Sequence, residues 1–348
     1  MARSANVLDR AVDRGVAGAA RLISTIGRPT PTTAALAAAR ARAADRALAT
    51  RERALRSLAE TFSSESRGDS REVTSAKNEL SRLAAEALFD MRRAVDAEAS
   101  GLRAPIGALD RLWRETSTVE LIDRPDFDQG DRVRLMTHLD EMNVTLGAYA
   151  SFLDVLRPHL APDRPTRILD LAAGHGGFLL EVAHLAQREG LALELVASDI
   201  ADEYLEIGRR HAGERGLPVE FVVQDALDTT NLAANAFDLV VCTQSLHHFP
   251  PGLVAVLTHE ALRIASRAVV LIDGARSKTN AALIPLLGVL RYRDLPFAHD
   301  SWVSLRKFFA PEELGLLARA GALATSGKER SVEARFLPPG HLAVVLTG

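Results

Sequence analysis

Residues 167–178 read Arg167-Ile-Leu-Asp-Leu-Ala-Ala-Gly-His-Gly-Gly-Phe178. An apolar run with strand character ends there in Asp170, a glycine-rich turn follows, and a helix-like pattern begins at once. Gly174, Gly176 and Gly177 lack a Cβ, so the turn can be tight and a ligand can come close to the backbone. This is the layout of a nucleotide-type pocket. A second strand-like run, Leu193-Glu-Leu-Val-Ala-Ser-Asp199, also ends in an acid, where a carboxylate can hold both hydroxyls of a ribose. Together the two acids point to an adenosine-containing ligand.

Three more runs keep the rhythm: Val219-Glu-Phe-Val-Val-Gln-Asp225, Phe237-Asp-Leu-Val-Val-Cys-Thr243 and Ala268-Val-Val-Leu-Ile-Asp273. Each precedes a helix-like stretch. Short β-branched runs alternating with helices predict an α/β fold whose parallel sheet is covered on both faces, with ligands beyond the carboxyl ends of the strands. The chain closes with Glu333-Ala-Arg-Phe-Leu and His341-Leu-Ala-Val-Val-Leu346 around Pro338-Pro-Gly340, which marks a hairpin-like reversal.

At this point the sequence resembles the class I S-adenosylmethionine-dependent methyltransferases, specifically the small-molecule type similar to the ubiquinone and menaquinone biosynthesis enzymes. The resemblance spans roughly Leu121 to Gly348. That family carries an Asp-x-Gly-x-Gly-x-Gly signature on its first strand, here Asp170-Leu-Ala172-Ala-Gly174-His-Gly176, with Ala172 in place of the first glycine. The resemblance implies a doubly wound, mostly parallel seven-stranded sheet with an antiparallel C-terminal hairpin, and S-adenosylmethionine as cofactor. It implies that Asp199 holds the ribose, that Asp225 and Ala226 border the adenine, and that Asp170, Ala172, Gly174, Gly176, Ile200 and Thr243 complete the cofactor site. Gln244-Ser-Leu-His-His-Phe249 resembles the loop that faces the methyl group.

Two blander readings compete. Ala172-x-Gly174-x-x-Gly177 also approximates the dinucleotide fingerprint of NAD-dependent dehydrogenases, and acids at strand ends can simply cap the following helix. The terminal hairpin is the main discriminator, because a classical dehydrogenase half lacks one. The sulfonium of S-adenosylmethionine is already activated, so the protein must mainly align a nucleophile and exclude water. Should the acceptor be a phenol or enol, imidazole is the natural base. His247 and His248 are the catalytic candidates, with His248 preferred. No acid stands at ligand spacing from the pair, so no metal is expected.

Organisation changes near residue 120. Residues 1–120 are rich in Ala, Arg, Leu and Glu and read as an all-helical extension. An amphipathic first helix carries Leu8, Val12, Val16, Ala19, Ile23 and Ile26. After Pro29 and Pro31, a long helix is expected from about Thr33 to Phe62, then a loop over 63–70, then a helix from about Arg71 to Ala99 with Val73, Leu80, Leu83, Ala87, Met91 and Val95 as its seam. The first 60 residues hold eleven arginines against five acids, a pattern that suits a solvated face or an anionic partner. A lid, a partner-binding surface or a homodimer through these helices are the expected uses. A non-catalytic partner-binding protein that retains the cofactor fold is therefore the alternative function.

Residues 121–160 are expected to form a helical cover leading into the core at 161–348, with Asn143 and Tyr149 lining the site. A long insertion at about 275–309 is expected to cover the substrate. Its Arg291, Tyr292, His299 and Trp302 offer charge, hydrogen bonds and a stacking surface for a phenolic or polyketide-like acceptor. At 348 residues with 47% hydrophobic content the chain can bury a sizeable core. A net charge of −3 and the absence of basic blocks in the C-terminal part argue against nucleic acid. The single cysteine, Cys242, excludes an internal disulfide framework, and no run of about 18 apolar residues suggests a transmembrane segment. The expected setting is the cytoplasm, and the expected reaction is O-methylation, slightly ahead of C-methylation, of a small hydroxylated metabolite.

Overall fold

A computed structural model describes residues 31–63, 70–98, 114, 118–277, 284–325 and 330–348. Seven strands form one sheet in the order β3-β2-β1-β4-β5-β7-β6. They are β1 (Thr166–Leu171), β2 (Leu193–Asp199), β3 (Val219–Val223), β4 (Phe237–Thr243), β5 (Ala265–Gly274), β6 (Ser331–Leu337) and β7 (His341–Thr347). β1 to β5 run parallel, and β7 pairs antiparallel with both β5 and β6. Pro338, Pro339 and Gly340 make the reversal between them, as the sequence predicts.

The strands alternate between two apolar layers, as a pleated chain must when both faces are covered. Leu169, Leu171, Val240 and Cys242 face one side, where they join a core shared with α8 (Pro251–Ile264) and α10 (Pro311–Thr325). Ile168, Leu239 and Val241 face the other, against α5 (Ala148–Leu156) and α6 (Gly177–Glu189). β4 is buried along its whole length and is therefore central, while β3 alternates with exposed residues at the edge. α7 (Asp202–Arg215) links β2 to β3, and α4 (Gln129–Thr145) and α9 (Leu295–Lys307) lie above the carboxyl ends of the strands.

The N-terminal segment forms α1 (Pro31–Ala49), α2 (Glu52–Ser63) and α3 (Ser70–Glu98). The expected single helix over 33–62 is interrupted at Thr50. The Thr50 hydroxyl donates back to the Ala47 carbonyl at 2.9 Å, and Arg51 turns away to reach Asp90 at 2.6 Å. On α3 the expected seam is buried at Leu80, Leu83, Ala87, Met91 and Val95, while Val73 is half-buried. The predicted first helix, carrying Leu8 to Ile26, lies outside the described residues. The third strand run also stops early, at Val223: the Gln224 N–H makes the last bond to β2, at the Asp199 carbonyl (3.0 Å), and its side chain then turns to the Asp228 carbonyl at 2.6 Å. No described helix is long and apolar enough to cross a membrane.

Polar ties fix α3 to the core. Glu313, 1% exposed on α10, accepts from Arg92 of α3 at 3.0 Å and from Arg276 at 2.8 and 2.9 Å. Burial works to raise its pKa, yet the two guanidiniums hold it well below the usual carboxylate range. Lys77 of α3 reaches Glu260 of α8 at 2.9 Å. Removing one member of a buried pair strands the other charges. Glu313→Ala is therefore expected to lower unfolding free energy by about 3–5 kcal/mol in a urea melt; a loss near zero would show that α3 is not anchored here.

Candidate active site

The glycine turn sits between β1 and α6, where the exposed N–H groups of a helix start favour an anionic or polar ligand. Ala172, Gly174 and Gly176 all have positive φ, at 54°, 57° and 74°. Ala172 thus adopts a left-handed conformation that a glycine meets without strain, which explains the family preference at that position. A Cβ on Gly176 would come within 2.8 Å of the Phe221 ring, whereas a Cβ on Gly174 would meet nothing within 4 Å. The packed side of the turn is therefore at Gly176 and the open side at Gly174.

Asp199 ties the ends of β1 and β2 together. It accepts from the Gly174 N–H at 2.8 Å and from the Ala201 N–H at 2.9 Å. Each carboxylate oxygen can accept a further bond, so the ribose role that the resemblance implies is compatible with this bracing. Asp170 is 1% exposed and takes one bond from the Thr243 hydroxyl at 3.0 Å, while its Oδ1 has no partner in the protein. Burial pushes its carboxyl pKa well above the ordinary value. An orphaned buried oxygen beside an open glycine cradle fits a ligand carrying N–H donors, as S-adenosylmethionine does. Ile200 is 69% exposed next to Asp199. Asp225 is also exposed and accepts the Leu227 N–H at 2.8 Å, so a local turn role operates there as well; Ala226 is buried.

Beneath the turn, Asp140 of α4 accepts from the Tyr149 hydroxyl at 2.6 Å and lies 2.6 Å from His175 Nε2. A Cβ on Gly177 would fall 2.1 Å from this carboxylate. The third glycine therefore serves the close approach of α4. Tyr149 is placed under the turn and is absent from the pocket walls. Asn143 does face that pocket, paired with Gln244 at 2.8 Å, and Gln244 contacts His341 at 3.2 Å. Burial lowers His341 to a pKa of about 4, so its Nε2 accepts from the amide.

A pocket opens beyond β4 and β5, with a cavity of about 160 Å³. That compares with the roughly 150 Å³ engineered cavity that admits benzene. Leu135, Leu139 and Met142 of α4 and Phe297, Leu305 and Phe308 from the 275–309 segment supply apolar walls. The four aromatic and charged residues singled out in that segment stand elsewhere. Tyr292 stacks on His138 with ring centroids 4.6 Å apart, and the Arg291 guanidinium lies 5.7 Å from the Tyr292 ring centre. His299 pairs with Asp300 at 2.9 Å, and Trp302 is 42% exposed. None of the four is among the pocket walls.

The polar end of the pocket is a cluster around the two histidines, which sit on the one-turn helix Leu246–His248 after β4. The His247 N–H donates to Asp273 Oδ2 at 2.8 Å, and its Nδ1 lies 2.9 Å from Asp273 Oδ1. His248 Nδ1 lies 2.9 Å from Asp123 Oδ2. Near the Nε2 atoms of both rings stands Glu120, 3% exposed, which accepts from Ser304 at 2.7 Å and Lys307 at 3.1 Å. Its position is set by Asp300, whose carboxylate accepts the N–H groups of Leu121 and Ile122 at 2.7 and 2.9 Å. Burial opposes the charge on both His248 and Glu120. Asp123 and Glu120 nonetheless raise His248 to about 9, and the imidazoles with Lys307 draw Glu120 below its ordinary value. Glu120, Asp140 and the pairing role of Asp273 are the residues sequence reasoning missed. Asp273 had a signal, being an acid at a strand end like Asp170 and Asp199; Glu120 had none.

Residues 168–267 match a family model described as a methyltransferase domain. The ubiquinone biosynthesis O-methyltransferase of Xanthomonas axonopodis pv. citri is 34% identical over 84 residues, 24% of this chain and 33% of that protein. The demethylmenaquinone methyltransferase of Deinococcus radiodurans is 34% identical over 85 residues, again 24% and 33%. The chain thus spans about a third of the length of these relatives. Among solved structures, an O-methyltransferase family protein from Burkholderia thailandensis is similar with a TM-score of 0.44 and 16% identity, over 75% of this chain and 71% of that one. The segment around the glycine turn is thus matched as a methyltransferase domain, the class to which the resemblance of the motif also points. Within that class, the matched segment is similar to quinone-biosynthesis enzymes.

Asp199→Ala removes two charge-assisted bonds that shape the turn, each worth about 1.5–3 kcal/mol. Calorimetric titration with S-adenosylhomocysteine is expected to show affinity reduced at least about tenfold. Undiminished affinity would remove Asp199 from the cofactor site.

Proposed function

We propose that the protein transfers the methyl group of S-adenosylmethionine to a hydroxyl oxygen of a small, partly apolar acceptor, a phenol or a polyketide-like enol. The observation that carries this reading is the meeting of an apolar cavity with the Glu120, His247 and His248 cluster beside the strand ends that suit the cofactor. Asp170, Gly174 and Asp199 would hold the cofactor, and its sulfonium supplies the activated methyl group. Helices α4 and α9 would exclude water from the cavity, and their apolar walls would orient the ring. The acceptor hydroxyl would give up its proton at the cluster. Its oxygen then bonds to the methyl carbon as the carbon–sulfur bond breaks, with that electron pair staying on sulfur.

Oxygen is favoured over carbon because oxygen attack gains directly from a nearby basic group. His247 is the better-positioned of the two imidazoles. Its side chain is 6% exposed and bound to a fully buried Asp273, whereas His248 is 31% exposed and held protonated by Asp123. The preference for His248 drawn from the sequence therefore passes to His247.

The test uses the full-length protein with S-adenosylmethionine and a panel of phenols and enols, read by mass spectrometry for a gain of one methyl group. His247→Ala is expected to lower kcat by about 10²–10⁴ while S-adenosylhomocysteine affinity stays within about threefold. Cofactor binding without any methylated product would favour the partner-binding alternative.

A further inference from the structure

We propose that Glu120, His247 and His248 form a binding site for one divalent transition-metal ion, with zinc the best match to its ligands, at the polar end of the acceptor pocket. The two Nε2 atoms and the Glu120 carboxylate all lie within 4.8 Å of one another, and no other such group occurs among the described residues. His247 Nε2 is 3.9 Å and His248 Nε2 4.0 Å from the nearest Glu120 oxygen, too far for hydrogen bonds. The two contacts run to different oxygens of the one carboxylate, so three side chains gather around a common space without hydrogen bonds between them.

The surroundings are those of ligands rather than of a hydrogen-bonded pair. Asp273 holds Nδ1 of His247 and Asp123 holds Nδ1 of His248. Each carboxylate accepts the Nδ1 N–H of its imidazole and turns Nε2 into the cluster, where a metal ion would take the place of any Nε2 proton. Orientation of a ligating histidine by an outer carboxylate is the common pattern at metal sites, and here it occurs twice. Adjacent residues on a chain ordinarily point apart. The His247 and His248 rings lie instead on one side, with centroids 4.2 Å apart.

Charge leads the same way. Glu120, Asp123 and Asp273 bring three carboxylates, and Lys307 brings one cation, 3.1 Å from Glu120. A metal ion bound at Nε2 displaces the proton that His248 otherwise carries; with both imidazoles then neutral, the three carboxylates and Lys307 leave two negative charges for a divalent ion to balance. Lys307 is 19% exposed at its side chain and can turn to solvent when the ion takes its place. A zinc ion at roughly 2.0–2.2 Å from each donor would draw them about 3.4 Å apart, closer than the present spacing, which lies within 4.8 Å.

Two histidines and one glutamate leave coordination positions open, as in catalytic zinc sites and the two-histidine, one-carboxylate triad. Those positions face the pocket. There the ion would take the oxygen of the acceptor and lower its pKa; with its Nε2 on the ion His247 then acts as a ligand in place of a base, and the proton passes to water at the exposed edge of His248. The catalytic use of the ion rests on the methyl-transfer reading; its binding does not. The two histidines and no nearby acid argue from sequence against a metal, and Glu120 changes that because contacts with α9 bring it to them from more than a hundred residues away in sequence.

The experiment is calorimetric titration of the chelator-treated, tag-free full-length protein with zinc chloride, with manganese chloride in parallel. One ion per chain is expected with submicromolar affinity for zinc. Glu120→Gln and His248→Ala should each weaken binding at least about 100-fold, and Asp123→Asn by about 10–100-fold, in variants whose circular dichroism matches the parent. No saturable binding of either ion, or binding unchanged in these folded variants, would overturn the site. S-adenosylhomocysteine titration of the same samples separates the two readings. Zinc binding without cofactor binding would sink methyl transfer alone, and the converse would sink the metal site alone.

Discussion

The carboxylate of Asp199 bonded to the Gly174 N–H is the contact on which the rest of the site depends. Parallel strands end with their last peptide groups unpaired, and the turns that leave them need partners. Asp199 supplies those partners to two turns at once. It fixes the spacing between the ends of β1 and β2 and keeps the face of Gly174 open. The bracing continues below, where Asp140 of α4 takes bonds from Tyr149 and His175. The covering helix and the glycine turn are therefore parts of one rigid unit.

The cofactor half was legible because its signals are local. The acid-then-glycine pattern at 170–177, Asp199 and the strand runs lie within short windows whose periodicity reports burial directly. β4 reads as a mostly apolar run, broken by Asp238, and is the fully buried central strand. The hairpin was readable from Pro338, Pro339 and Gly340. Helix boundaries were less so. The break at Thr50 depends on Arg51 finding Asp90 across the chain, which no window of sequence contains.

The acceptor half was only partly legible, because long-range pairs build it. Asn143, His247 and His248 were placed at the pocket, and the 275–309 segment does contribute walls. Those walls are Phe297, Leu305 and Phe308, whereas Arg291, Tyr292, His299 and Trp302 drew attention by their chemistry and stand outside. Residue type alone does not say which face of a helix turns inward. Glu120 is set in place by Asp300 gripping the next two peptide groups, a contact that exists only once α9 has docked.

α8 lies between the sheet on one side and α3 on the other, and Gly252 passes so close to α3 that a Cβ there would meet the Ser81 carbonyl at 2.1 Å. Its residues from Val254 to Leu262 are buried on every side. A surface helix can drift in sequence on its solvent face, but this one has no such face. The N-terminal helices have therefore turned a stretch of outer wall into interior, and the two segments are bound to change together. A recombinant chimera that exchanged either one alone would inherit a mismatched core rather than a new module.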